Sequence, residues 1–411
     1  MTEVVGIISS FNILCGNATY SEQLAQGIEK RGGRVIRIAV PETIQKDDDK
    51  KAIAEIIKQA KQCSIINIQM ELGLYGSNPN ASSKHLVSIL KSLPAKTIVT
   101  VHRIEKKPNS WLRTLKNNMP YMSFVKAVLF SWKQIARQSY LFKSYQRIFN
   151  EVRKQEFITI SHTMRDNKFL KQYFAVESIM HPIMWPDTLV TNNKKMRNHS
   201  GVEIGVFGFI SSYKNFKLVV EAFSYLLELE LIPQDSRLVI SGGYHPEAPG
   251  YGDKSLLYIG FGDCSCTDFA IDGLKPTEEI SAMIQIKKLK NVDWRIGADD
   301  NEMANLISQV DIVVIPYLET GQSGSGITSQ AIQFAKKLIM SDTKMTRQHK
   351  ELCDSKIIIF DTAAVVSLAT AILQALDTEK TPRFKKEYNF NNIINIITKK
   401  TGENELESKE S

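Results

Sequence analysis

Between the apolar run VDIVVIPY and the helix-period segment ITSQAIQFAKK lies a short loop, Gly321-Gln322-Ser323-Gly324-Ser325-Gly326. Small residues let backbone N–H groups come close to a ligand, and a helix starting there adds the positive end of its dipole, so the loop suits a diphosphate. The plainer reading is a flexible strand-to-helix turn. Earlier in the chain, GVFGFISSYKNFKLVVEAF has a related form: a strand ends at Gly208, Ser211 and Ser212 suit an N-cap region, and Lys214 stands at the mouth of the next helix. A lysine there is a point charge placed to meet a phosphate anion. Alone, Lys214 reads as solvated; with the Gly/Ser loop it reads as functional.

Three positions after other apolar runs extend the set. Gly16, in CGNATYS, gives the first loop room near a phosphate or simply makes its turn. Glu71, in QMELG, is a candidate for gripping a ligand's hydroxyls, or else a helix-capping or solvated carboxylate. His102 ends TIVTVH at the rim of a sheet, where a histidine either makes structural contacts only or donates a hydrogen bond without carrying full charge. Other patterns carry little. Asp47 and Asp49 in KDDDK have metal-motif spacing but sit in a lysine-flanked polar run, and Cys264 and Cys266 in CSC lack a second ligand pair, so no metal is expected. No G-x-S-x-G, Walker A or G-x-G-x-x-G occurs, which argues against hydrolases, P-loop enzymes and dinucleotide oxidoreductases.

The elements that must position these residues are short β-branched runs alternating with helix-period segments, the pattern of parallel sheets covered by helices. VVGIISS, GRVIRIAV, SIINIQM, TIVTVH, FITISH and SIMHPIM form a first set of strands; VEIGVFGF, SRLVISGG, NVDWRIG, VDIVVIPY, KKLIMSD and SKIIIFD form a second. The polar stretch PDTLVTNNKKMRNHSG separates them. The expected division is an N-terminal domain over 1–185, a linker over 186–201, a C-terminal domain over 202–380, a terminal helix over 381–402 and a disordered tail over 403–411. Ligands of such sheets bind outside the carboxyl ends of the strands, and two of them in tandem are expected to face one another across a central cleft.

The 411 residues suffice for two or three domains, and 43% hydrophobic with 23% charged residues excludes a disordered or collagen-like chain. Five scattered cysteines make no disulfide framework and fit a reducing compartment; the N-terminal MTEVVGIISS reads as a strand rather than a signal peptide. The formal net charge is +8. Residues 103–154 hold twelve Lys/Arg against Glu105 and Glu151, interleaved with Trp111, Tyr121, Phe124, Phe130, Trp132, Tyr140, Phe142, Tyr145 and Phe149. Two readings stand: a helical insertion with aromatics packed inward, or an element that lies on an anionic membrane surface. A nucleic-acid patch is set aside, because no recognition motif accompanies the charge.

GVFGFISSYKN, LVISGGYHPE and IPYLETGQSGSGITSQAIQFAKKLIMSD resemble the strand–loop–lysine, the glycine turn and the donor-binding loop of retaining GT-B glycosyltransferases of the family four type. ISSFNILCGNATYSEQL, IINIQMELGLYG, TIVTVH and ITISHTMRD are similar to that family's first half, so the resemblance runs over about residues 4 to 380, weakest in the basic insertion. It implies an α/β protein of two Rossmann-like doubly wound domains. It also implies a UDP- or GDP-linked sugar donor held by the second domain, with no separate cofactor, and a glycan or lipid-linked acceptor in the first. Lys214 and the Ser323–Gly326 amides would meet the leaving phosphate, with Ser211, Ser212 and Gly16 near it, and His102 would contact the donor sugar. The family's paired glutamates fall here on Gln322 and Gln330, amides that hydrogen-bond hydroxyls but supply no charge. The resulting expectation is a retaining, cytoplasmic, peripheral-membrane hexosyltransferase of cell-surface polysaccharide or glycoconjugate synthesis. The two alternatives are an inactive GT-B subunit that binds or chaperones an active transferase, and an epimerase.

Overall fold

The computed structural model describes residues 3–11, 15–41, 44, 49–94, 96–104, 110–119, 123–191, 199–242, 276–295, 300–319, 324–354, 357–379 and 381–398. The chain forms two compact units: Met1–His181 together with the residues from Ile394 onward, and Pro182–Ile393. Asp47, Gln322, Ser323, Cys264, Cys266 and the tail 403–411 lie outside the described residues.

Unit 1 is built on strands β1 (Val4–Ser9), β2 (Arg34–Ala39), β3 (Ile65–Met70), β4 (Thr97–Val101), β5 (Ile158–Ser161) and β6 (Ile179–Met180). They pair in parallel in the order β2-β1-β3-β4-β5-β6. Every residue of β3 and β4 is buried, as expected where helices cover both faces of a parallel sheet. The helices are α1 (Gly16–Glu29), α2 (Asp49–Ala60), α3 (Pro79–Leu90), α4 (Trp111–Asn118), α5 (Phe124–Lys154) and α6 (Met164–Phe174). Local chemistry sets their starts. Asn78 caps α3 by accepting from the Asn80 and Ala81 amides with Pro79 at the first position, and Thr163 caps α6 by accepting from Asp166 N.

Unit 2 carries β7 (Glu203–Phe207), β8 (Arg237–Ser241), β9 (Val292–Arg295), β10 (Ile312–Ile315), β11 (Leu338–Ser341) and β12 (Ile358–Phe360), all parallel, in the order β12-β11-β10-β7-β8-β9. Its helices are α7 (Phe216–Glu228), α8 (Pro276–Ile286), α9 (Asp300–Gln309), α10 (Gly326–Phe334), α11 (Lys344–Glu351) and α12 (Val365–Leu376); α13 (Phe390–Thr398) follows. One core beneath the sheet joins Val206, Ile240 and Val314 to Phe216, Phe223 and Leu226 of α7 and Leu368 and Ile372 of α12. Each such buried side chain contributes about 1.5–3 kcal/mol. The polar stretch from 186 begins inside this unit. Trp185 is buried, and Gln333 accepts from its amide at 3.1 Å and donates to its carbonyl at 2.6 Å; Leu189 is buried too, and Thr191 N donates to Asn305 at 2.8 Å.

Strand order reverses between β7 and β10 in unit 2 and between β1 and β3 in unit 1. At such points the loops leaving the strand ends diverge and open a crevice.

Candidate functional site

In unit 2 the loops after β7 and β10 flank the reversal. Gly208 ends β7 with φ +100 and donates its amide to Ser241 O at 2.9 Å. Its left-handed backbone turns the chain into Ser211, which leads the single helical turn Ser212–Lys214. A Cβ on Gly208 would lie 2.9 Å from Lys214 Nζ and 2.9 Å from Ile327 Cγ1, so the lysine head and the first turn of α10 meet over this glycine. The two loops are also tied by backbone: Leu318 N donates to Tyr213 O at 2.7 Å.

Lys214 is buried, 8% exposed, with its ammonium 5.9 Å from the centre of the Tyr317 ring. Among the described residues it forms no ion pair, and burial alone pushes its pKa down to about 8. Ser211 Oγ is buried without a hydrogen-bond partner among the described residues. Ser325 caps α10, accepting from Thr328 N at 3.3 Å, and the Tyr317 hydroxyl lies 3.4 Å from Ser325 Oγ. Among the described residues, nothing lies within 4 Å of where a Cβ would stand on Gly324, and Trp185 alone approaches that of Gly326, at 3.4 Å. Gln330, one turn into α10, is buried, and its Oε1 has no hydrogen-bond partner among the described residues. Ser212 is exposed. Thus an unneutralised cation, an orphaned hydroxyl, a helix N-terminus and an orphaned amide oxygen share one end of the sheet, chemistry that fits an anion bearing hydroxyls.

Unit 1 gathers a second set. Gly16 is the exposed first residue of α1, capped by Cys15, with nothing among the described residues within 4 Å of its Cβ position. Asn17 beside it has both side-chain polar atoms buried and unpartnered among the described residues. Glu71 follows β3 and makes no capping hydrogen bond with its side chain. His102 N donates to Met70 O at 3.2 Å, which holds it at the end of β4.

A buried relay fixes the imidazole of His102. Asn67 Nδ2 donates to Thr100 Oγ1 at 2.8 Å and to the Ile98 carbonyl at 3.4 Å. Its Oδ1 therefore accepts from Gln69 Nε2, and Gln69 Oε1 faces His102 Nε2 at 2.6 Å. A carbonyl oxygen only accepts, so Nε2 carries the proton and Nδ1 is left as an acceptor. The N–H expected to donate to a ligand is thus already engaged by Gln69. His162, after β5, stands 5.0 Å from His102 between ring centres, and Tyr20 of α1 meets both rings edge-on at 5.9 and 5.7 Å. His162 Nδ1 donates to His181 O at 2.9 Å, while its Nε2 is buried with no partner among the described residues. Burial, with the neighbouring His162, lowers the His102 pKa well below the usual imidazole value, and burial takes His162 down to about 4. Both are neutral acceptors at pH 7.

Sequence reasoning missed Asn67, Gln69, Tyr20, Asn17, His162 and Tyr317. Signals existed for three of them. Asn67 and Gln69 are polar at alternate positions of an otherwise apolar strand, and His162 follows its strand as His102 follows β4.

No family model matches the sequence, and no curated protein matches it. Solved structures do. HepE of Anabaena, in complex with UDP, is similar with a TM-score of 0.56 at 11% identity, over 93% of this chain and 92% of that one. Sucrose-phosphate synthase from Thermosynechococcus elongatus gives 0.56 at 12% identity over 91% and 90%. A UDP-forming α,α-trehalose-phosphate synthase from Burkholderia xenovorans, with glucose-6-phosphate, gives 0.53 at 12% over 91% and 92%. At these identities the likeness is one of fold, and with the two six-stranded parallel sheets it shows that the chain has the GT-B fold of two Rossmann-like domains.

Proposed function

We propose that this protein is a glycosyltransferase that moves a sugar from a nucleoside-diphosphate donor, UDP- or GDP-linked, to a glycan or lipid-linked acceptor. The observation that carries this reading is Lys214, a buried ammonium with no acid partner among the described residues, set against the first turn of α10 at the reversal of the sheet. The fold is that of HepE, a protein solved with UDP, which supports the choice of ligand.

The anomeric carbon–oxygen bond breaks and negative charge gathers on the departing diphosphate. Lys214 and the amides at Gly324 to Gly326 stabilise that charge more than they stabilise the intact donor, which lowers the barrier. The acceptor oxygen bonds to the anomeric carbon, and its proton passes to the departing phosphate, with configuration retained and no separate protein base. Ser211 and Ser212 hold phosphate oxygens, and Gln330 holds ribose hydroxyls. In unit 1, Gly16 leaves space for a phosphate, and the Nδ1 of His102 is an acceptor for a sugar hydroxyl. Gln322 and Ser323 are assigned to the same donor loop from sequence. The setting is assembly of cell-surface polysaccharide or glycoconjugate on the cytoplasmic side.

Purified protein should slowly hydrolyse its nucleotide-sugar, and Lys214→Ala should abolish this. A nucleoside diphosphate at a hundred times its Kd should stabilise the protein by about 2.7 kcal/mol. Gln330, an amide where resemblance calls for a carboxylate, favours a second reading, a nucleotide-binding subunit without turnover. Binding with no hydrolysis or transfer for any UDP- or GDP-sugar would select it.

A further inference from the structure

The basic insertion in unit 1 divides into two halves of opposite design. From Leu141 to Val152, α5 is an ordinary amphipathic helix: Leu141, Tyr145, Ile148, Phe149 and Val152 are buried, and Phe149 stacks on Phe174 of α6 at 4.9 Å. From Phe124 to Tyr140 the order inverts. The buried positions are Ala127 and Ser131; α4 packs against α5, its Thr114 and Asn118 are buried too, and Asn118 Nδ2 donates to Ser131 Oγ at 2.9 Å. The large apolar side chains point outward instead: Trp132 is 68% exposed, Leu129 60% and Phe124 63%, with Leu112 of α4 at 76%. Small and polar residues at a helix–helix seam, with apolar bulk outside, is the arrangement of helices that pack in lipid.

We infer that the α4–α5 hairpin of unit 1 docks on an anionic membrane surface, with the outward apolar face of Phe124–Tyr140 in the acyl boundary and its lysines and arginine at headgroup depth. At about 100° per residue, Phe124, Val125, Val128, Leu129 and Trp132 fall within about 140° of the helix circumference. Lys126, Lys133 and Arg137, all exposed, follow at about 180–220° and border that band. This is the layout of an interfacial helix. Charge selects the occupant. No Asp or Glu occurs from 106 to 150, so a second copy of this face would meet its own cations, whereas anionic lipid complements them. The docking requires nothing of unit 2 and stands apart from sugar transfer, although it would bring unit 1 to a lipid-linked acceptor.

The full-length protein is mixed with vesicles of phosphatidylglycerol and phosphatidylcholine, or of phosphatidylcholine alone, and floated in a density gradient. It should float with the mixed vesicles, and tryptophan emission should shift to the blue, a shift that Trp132→Phe diminishes. The triple variant Lys126→Gln, Lys133→Gln, Arg137→Gln should lower partitioning onto mixed vesicles roughly a hundredfold, from about 1 kcal/mol per cation. Leu129→Ser with Trp132→Ser should abolish flotation while leaving thermal unfolding and nucleotide binding unchanged, because both side chains are exposed. Failure to float on mixed vesicles overturns the proposal. So does flotation unaffected by either variant, or a concentration-dependent dimer that forms without lipid and is lost in the Leu129/Trp132 variant.

Discussion

Replacing Lys214 with methionine separates what the residue costs the fold from what it does for a ligand. In the unliganded protein a buried ammonium without an acid partner among the described residues is a liability: its pKa falls from 10.5 to about 8 through burial alone. At about 1.36 kcal/mol per unit, the charged form is destabilised by about 3 kcal/mol relative to the unfolded chain. Methionine has a similar length and no charge to desolvate. Lys214→Met should therefore stabilise unit 2 by about 3 kcal/mol at pH 7, a rise of roughly 6–12 °C in its unfolding temperature. The dependence on pH gives the mechanism away. Below pH 8 lysine is charged in both states and the gap is full; between 8 and 10.5 the unfolded chain holds a proton that the folded one has released, so wild-type stability rises with pH and the gap closes. Calorimetry across pH 7 to 10.5 measures this. The same variant should bind a nucleoside diphosphate roughly tenfold to a hundredfold more weakly, the loss of a charged hydrogen bond. A variant that is less stable than wild type at pH 7, or whose advantage does not shrink above pH 8, would refute the reasoning.

Three further outcomes follow from the same geometry. Gly208→Ala places a side chain at φ +100 against Lys214 and Ile327, so thermal unfolding should show a loss of about 1–3 kcal/mol together with weaker nucleotide binding, and a neutral result contradicts the assigned crossing. Nitrogen NMR at pH 7 should find His102 neutral with its proton on Nε2, and Gln69→Leu, which orphans that N–H, should cost about 1–3 kcal/mol; a proton on Nδ1 breaks the relay. Because burial holds His162 near 4 against a usual 6.5, the unfolded chain binds a proton between those values that the folded chain refuses, so stability falls as pH drops from 6.5 to 4; His162→Gln should flatten that fall, and an unchanged slope counts against it.

The architecture was legible because strands covered on both faces of a parallel sheet are mostly apolar. β3, β4, β10 and β11 stand out as runs for the reason that they are covered on both faces. The places of Lys214 and Ser325, each after a glycine-containing turn at a strand end, were legible. The partners that tune them were not. Tyr317 looks like the last residue of an apolar run, and only the fold turns its hydroxyl toward Ser325. Tyr20 looks like one more apolar helix position until His102 and His162 close on it. The basic insertion shows the limit most clearly. Inward and outward packing of Phe124, Leu129 and Trp132 share one composition, and the difference lies in Ala127 and Ser131, whose smallness lets α4 sit on their side of the helix. At 186–191 the polar composition reads as a linker; Gln333 holds the Trp185 backbone that leads into it, and Leu189 within it is buried.

The most direct measurement is the position of the diphosphate in crystals of this protein grown with UDP or GDP. A phosphate oxygen within about 3.2 Å of Lys214 Nζ, with its neighbours facing the amides of Gly324 to Gly326, is the predicted result. A nucleotide seated elsewhere in unit 2, leaving Lys214 without an anion, would contradict it.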